Sequence, residues 1–186
     1  MRKLLILIVG CKPEAHVPDT KLPPPQLHDK YYLTEDGARL PLHSWLPKAR
    51  TTHAVIIGVH GFNDYSYFFR QPPAEYFSNQ GIACFAYDQR GFGAAPQRGF
   101  WAGRETYSTD LQNFIRLIKQ RYPGLPIYLL GESMGGAVVI AATRDTRMPP
   151  VDGIILAAPA LAQGNHAVVS NQLTLDPGTH CALADL

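Results

Sequence analysis

The sequence predicts an α/β fold, a mostly parallel sheet with helices on both faces. Three observations carry that prediction. The apolar runs at 54–59, 82–87, 127–130 and 153–158 have strand length and no polar alternation, as strands buried on both faces require. Segments with helical spacing of apolar residues lie between them. Glycine and proline punctuate the joints.

Taken in chain order, Tyr31–Thr34 and Arg39–Leu46 read as two short strands around the turn signal Glu35-Asp36-Gly37. Ala54–Val59 is the first strand of the buried type. Pro73–Gln80 reads as a short helix stopped at Gly81, and Ile82–Tyr87 as the next strand. In Thr106–Tyr122, Tyr107, Leu111, Phe114, Ile115 and Ile118 recur at helical spacing, and Pro123-Gly124 ends the run. Ile127–Leu130 is a strand, Ser133–Arg144 a helix rich in Ala and Val, and Gly153–Ala158 a further strand. Strands alternating with helices argue for a parallel sheet covered on both sides.

The 186 residues hold 17 Lys and Arg against 15 Asp and Glu, a net charge of +2, with 46% apolar residues. No basic run is long enough to track a phosphate backbone, so nucleic acid is not expected as a partner. With 16 glycines and 16 prolines the chain is neither collagen-like nor low-complexity. The cysteines, at 11, 84 and 181, have neither metal-ligand nor redox spacing. Cys84, inside the apolar run at 82–87, reads as a small buried hydrophobe.

Residues 1–10 read as a secretory signal: Arg2 and Lys3 precede the apolar run Leu4–Val9, and Gly10-Cys11 follows. The run is too short to span a bilayer and slightly short of the usual apolar core of a signal, about 7 residues. Ile8-Val9-Gly10-Cys11 resembles a bacterial lipobox, which implies lipid attachment at Cys11 and a place in the bacterial cell envelope, on the periplasmic side of the inner or outer membrane. The alternative is an ordinary hydrophobic start with a chance cysteine. Residues 11–30 carry Pro13, Pro18, Pro23, Pro24 and Pro25 among polar residues and read as a semi-rigid tether. The domain proper is expected at 31–160 and a polar tail at 161–186.

The chemistry falls at the strand ends. Gly131-Glu132-Ser133-Met134-Gly135 is a G-x-S-x-G motif with a predicted strand before it and a predicted helix after it. Such a turn needs Gly131 and Gly135, because larger side chains clash where the backbone crowds, and it holds the serine in a strained conformation. It presents the Ser133 hydroxyl at a helix N-terminus, where developing negative charge is favoured. A plain strand–helix turn capped by Ser133 is the bland alternative. His60-Gly61-Phe62-Asn63-Asp64 follows the strand at 54–59. Acyl transfer needs two backbone N–H donors on the tetrahedral oxyanion. Met134, just after the nucleophile, and Phe62 are placed to supply them. His60 reads as structural, holding its loop by a hydrogen bond. Asp88-Gln89-Arg90-Gly91-Phe92-Gly93 follows the strand at 82–87. Arg90 is expected to pair with Asp88 or a nearby carboxylate and fix the loop. Phe100, Trp101 and Tyr107 either line an acyl pocket or simply pack.

These three motifs together resemble the α/β-hydrolase superfamily, and within it the monoacylglycerol lipase and lysophospholipase group, also described as serine aminopeptidase-like hydrolases. The resemblance covers about residues 31–160. It implies a serine ester hydrolase that acts on a lipid-like ester through an acyl–serine, needs no cofactor or metal, and reaches its membrane through the lipid anchor. A non-catalytic, membrane-tethered binding module and a serine peptidase of the same superfamily are the alternatives.

The resemblance also implies a departure. The superfamily places its triad acid and histidine after the nucleophile, beyond further strands. Here Asp145, Asp152, His166, Asp176, His180 and Asp185 are the only candidates, and none follows a credible strand in the right order. The expectation is an incomplete hydrolase fold without its cap, last strands and triad partners, and hence a crippled enzyme, because serine without a base is a weak nucleophile. Back-translated and read one base later, 161–171 and 175–185 admit sequences resembling the family's cap. That points to a frameshift near Ala160 or Leu161, with natural truncation as the alternative.

Overall fold

The structure, a computed structural model, describes residues 23–70, 73–160 and the backbone of 180–181. The signal-type segment with Cys11, the first part of the tether, and His166, Asp176 and Asp185 in the tail lie outside the described residues.

Eight strands form one sheet: β1 (Gln26–Leu27), β2 (Tyr31–Leu33), β3 (Arg39–Trp45), β4 (Ala54–Val59), β5 (Ile82–Tyr87), β6 (Ile127–Glu132), β7 (Gly153–Ala157) and β8 (His180–Cys181). Their spatial order is β1-β2-β3-β5-β4-β6-β7-β8. β1, β2 and β3 pair antiparallel, and β3 joins β5 antiparallel. From β5 through β4, β6, β7 and β8 the pairing is parallel. A 3₁₀ turn (Ser66–Arg70) and the helices α1 (Ala74–Asn79), α2 (Arg104–Arg121) and α3 (Met134–Thr143) complete the described elements.

The two faces of β4 show why it reads as apolar throughout. Val55, Ile57 and Val59 point to the larger core, where α2 contributes Leu111, Phe114, Ile115 and Ile118 and α3 contributes Val138, Val139 and Ala142. Ile56 points the other way, with Cys84, Ala86, Phe69 of the 3₁₀ turn and Ala74 of α1. Gly58 leaves room for the Phe69 ring, since a Cβ there would lie 2.8 Å from it. Cys84 is buried in this second cluster, and burial pushes its thiol up to about 12.

The elements expected from sequence are present. Ala54–Val59 and Ile82–Tyr87 have the predicted bounds, and β6 runs two residues further, to Glu132. The tether is the main correction. Gln26 and Leu27, assigned to it, pair with Leu33 and Tyr32, and Leu27 packs on the core. The folded part thus begins upstream of residue 31. β6 is also less enclosed than expected: Ile127, Leu129 and Gly131 are buried, but Tyr128 and Leu130 on the α1 side are only half-buried.

Candidate active site

The parallel strands β4, β5, β6 and β7 all run in one direction, so the segments leaving their C-terminal ends gather along one edge. The His60–Asp64 loop leaves β4 there, Asp88–Gly93 leaves β5, and Ser133 leaves β6.

Ser133 sits between β6 and α3 with φ 49° and ψ −115°, a conformation that L residues rarely adopt. Its hydroxyl makes no capping bond to α3, which argues against a plain capped turn. Backbone bonds hold the turn, the longest from Ala137 N–H to the Ser133 carbonyl at 3.3 Å. Ser133 N–H donates to the Ala157 carbonyl at 2.9 Å, its carbonyl accepts from Ala160 N–H at 2.8 Å, and Gly136 N–H donates to the same carbonyl at 3.1 Å. The glycines answer to close approaches. A Cβ on Gly135 would collide with the Val59 carbonyl, and one on Gly131 would lie 2.7 Å from Gly136 Cα.

Gly61 sits just as close to Ser133. A Cβ on it would meet the Glu132 carboxylate and come within 3.3 Å of Ser133 Cβ. The His60–Asp64 loop and the Ser133 turn are therefore in contact. Among the described residues neither Phe62 N–H nor Met134 N–H has a hydrogen-bond acceptor, and Met134 opens α3, whose first N–H groups have no intrahelical partner. Asn63, next in the loop, has a positive φ of 60°. Burial, reinforced by the nearby Asp64 charge, raises the pKa of the Glu132 carboxyl, against a hydrogen bond from the Gly61 backbone.

His60 is fully buried and holds two loops together. Gln89 N–H donates to His60 Nε2, and His60 Nδ1 lies 2.8 Å from the Gly61 carbonyl. Both ring nitrogens are occupied, so it is not free to act as a base toward Ser133. Burial lowers its pKa.

Arg90 does not pair with Asp88. It binds Asp110 of α2 through Nε at 2.7 Å and Nη2 at 3.1 Å, and Asp36 of the β2–β3 turn through Nη1 at 2.7 Å and Nη2 at 2.6 Å. Asp88 is taken by other groups. It accepts from Ser66 N–H at 2.8 Å, Ser66 Oγ at 2.5 Å and Ala94 N–H at 2.8 Å. Burial lifts Asp110 to about 6 despite its arginine. Asp36 is less buried, and the Arg90 and Thr34 hydrogen bonds outweigh its desolvation and hold it at about 2.

A cavity of about 360 Å³ opens beside the His60–Asp64 loop, lined in part by Phe62, Asp64, Tyr65, Arg98, Phe100 and Trp101. Ser133 is not among its lining residues. Tyr107 takes the packing role instead: its hydroxyl donates to the Arg90 carbonyl at 2.9 Å and its ring packs 4.8 Å from Trp101. The Glu132–Gly61 contact and the Asp64 and Arg98 lining were not singled out from sequence. The x position of G-x-S-x-G was the one available signal.

The other triad candidates lie elsewhere. Asp152 accepts from Ile127 N–H at the opposite end of the sheet, and Asp145 pairs with Arg147 on the surface beyond the end of α3. His180 pairs with Gly153 in backbone register, roughly four residues or ~13 Å along the strand from Ala157, which holds Ser133. Among the described residues, no three His, Cys, Asp or Glu side chains gather as for a metal ion, and no helix is long and apolar enough to cross a membrane.

Residues 50–177 match the family Hydrolase_4, described as serine aminopeptidase, S33. The chain belongs to this family. It is 28% identical over 132 residues to monoglyceride lipase of Rattus norvegicus, covering 70% of this chain and 43% of that protein. It is 33% identical over 118 residues to phospholipase YtpA of Bacillus subtilis, covering 63% of this chain and 44% of that protein. The chain thus spans less than half the length of these S33 relatives. Among solved structures, a soluble variant of monoglyceride lipase from Saccharomyces cerevisiae in complex with a substrate analog aligns with a TM-score of 0.59 at 24% identity, over 76% of this chain and 47% of the other. That likeness shows the α/β-hydrolase fold, mostly parallel and with helices on both faces, and the S33 relatives named are hydrolases.

Proposed function

We propose that this chain carries the nucleophile and oxyanion hole of a serine ester hydrolase acting on a lipid-like acyl ester. One observation carries the reading: Ser133 is held at φ 49° at a helix start, with its hydroxyl unused as a cap. Ser133 Oγ attacks the acyl carbonyl, and the Phe62 and Met134 N–H groups receive the oxyanion. Collapse of the intermediate breaks the ester C–O bond and expels the alcohol, which carries off a proton in place of the one Ser133 lost; water then hydrolyses the acyl–serine to the free acid and restores the Ser133 hydroxyl. No described histidine is placed to take the Ser133 proton, so among the described residues the means of catalysis are the oxyanion hole and binding. In serine proteases that residue of activity is about 10³–10⁴ over water. Cys11 is proposed as the lipid attachment that keeps the domain at the bacterial envelope. Its test is metabolic labelling with palmitate, lost in Cys11→Ser.

A fluorophosphonate probe tests the site, with Ser133→Ala as control. The expected result is slow labelling of the parent chain and none of the variant. Folded parent protein that takes up no label would overturn the reading and favour a non-catalytic binding module.

A further inference from the structure

We propose that the cavity beside the oxyanion loop is a subsite for a zwitterionic head group, an ammonium borne next to a phosphate. The proposal rests on the ester-hydrolase reading and assigns the part of the substrate that faces away from the acyl chain.

The walls are aromatic and open. Phe62, Tyr65, Phe100 and Trp101 are 72%, 47%, 65% and 51% exposed, and all four line the same cavity. Aromatic faces attract cations, quaternary ammonium groups above all. The volume, about 360 Å³, falls at the lower end of the range for small-molecule sites, about 300–1,000 Å³.

The charges are arranged in two groups. Asp64 lines the cavity, and Glu132 lies close enough for the Asp64 charge to act on it. These carboxylates stand beside the N–H groups proposed to gather the oxyanion, and negative charge there opposes the intermediate. An ammonium seated between Asp64 and the aromatic rings offsets that opposition. Arg98 also lines the cavity and has no ion-pair partner among the described residues. A lone cation would be repelled by it, whereas an anion beside the ammonium gives it a partner. A neutral glycerol head group answers neither Asp64 nor Arg98.

The test is binding, read in the full-length Ser133→Ala chain so that it does not depend on hydrolysis. The chain has two tryptophans, Trp45 and Trp101, and only Trp101 lines the cavity. Phosphocholine is expected to change Trp101 fluorescence saturably, and Trp101→Phe to abolish the change. Arg98→Ala is expected to weaken phosphocholine at least about tenfold while tightening tetramethylammonium, and Asp64→Asn to weaken both. Glycerol is expected to give no signal. Submicellar dodecylphosphocholine separates the sources: tighter binding than phosphocholine assigns the site to a lipid head group, and equal binding assigns it to a soluble phosphate ester. Glycerol that saturates the same signal overturns the proposal. So does phosphocholine binding left unchanged by both variants, once circular dichroism shows them folded. Absence of fluorophosphonate labelling would remove the hydrolase reading and leave these titrations standing.

Discussion

His60 and Gln89 hold each other through reciprocal hydrogen bonds. The Gln89 backbone N–H donates to His60 Nε2 at 2.9 Å, and the Gln89 side-chain amide donates to the His60 carbonyl at 2.7 Å. Since Nε2 accepts, Nδ1 carries the ring proton and donates to the Gly61 carbonyl. Both residues are buried, and together they tie the loop after β4 to the loop after β5.

Replacing His60 by Ala strands the Gln89 N–H and the Gly61 carbonyl. Each buried unsatisfied group costs about 1–3 kcal/mol, so a loss of about 2–6 kcal/mol is expected, read from urea unfolding. The bond also has a pH signature. Burial lowers the His60 pKa, so below about pH 6.5 the unfolded chain takes a proton that the folded chain refuses. The contribution is complete above that pH and is lost as pH falls from there toward the folded value. The urea midpoint of the parent is expected to fall more steeply between about pH 7.5 and about pH 5.5 than that of His60→Asn.

Arg90 is the only cation bridging Asp36 and Asp110 among the described ion pairs. Arg90→Leu leaves a buried carboxylate without its partner, and a loss of about 3–5 kcal/mol is expected. Asp110→Asn keeps an acceptor for the guanidinium and is expected to lose less. Equal losses in the two variants would contradict the role given to Arg90.

Gly135 and Gly99 form a contrasting pair. A Cβ on Gly135 would meet the backbone carbonyls of Val59 and His60, which have no room to yield. Gly135→Ala is expected to destabilise the fold by about 1–3 kcal/mol or more and to abolish Ser133 labelling. Gly99 has a positive φ of 86° and open space around it, so Gly99→Ala bears only the backbone cost, about 1 kcal/mol, with labelling retained.

Ser133 holds a conformation suited to glycine. Ser133→Gly is expected to exceed Ser133→Ala in stability by about 1–2 kcal/mol, although neither is labelled. Equal unfolding midpoints for the two would show that the turn stores no strain.

Much of this was legible in the sequence because burial on both faces leaves a plain mark. Ala54–Val59 and Ile82–Tyr87 carry no polar alternation, and their bounds follow from composition alone. The tight turn at Ser133 was legible for a related reason, since Gly131 and Gly135 answer to backbone crowding that larger residues do not tolerate. β1 was not legible. Two residues behind a proline run carry no periodicity, and only the free edge of β2 recruits them. The 3₁₀ turn at Ser66–Arg70 was missed for want of any apolar period. Arg90 was recognised as a loop-fixing residue, but its partners stand 54 and 20 positions away, and only the folded sheet brings them to it. Asp64 and Glu132 likewise come together only in three dimensions.

The bonds from Ser133 to Ala157 and Ala160 also set an order of events during synthesis. Of the parallel strands β4 leaves the ribosome first, after β1, β2 and β3, and β5 and β6 then add on either side of it. At that stage the Ser133 turn is held only from α3, by Gly136 and Ala137 N–H on the Ser133 carbonyl. The acceptor for Ser133 N–H belongs to β7, and the Ala160 N–H that adds to the carbonyl lies just beyond. A nascent chain therefore cannot complete the bonds on Ser133 until residue 160 has cleared the exit tunnel, and this turn is among the last parts of the described fold to mature.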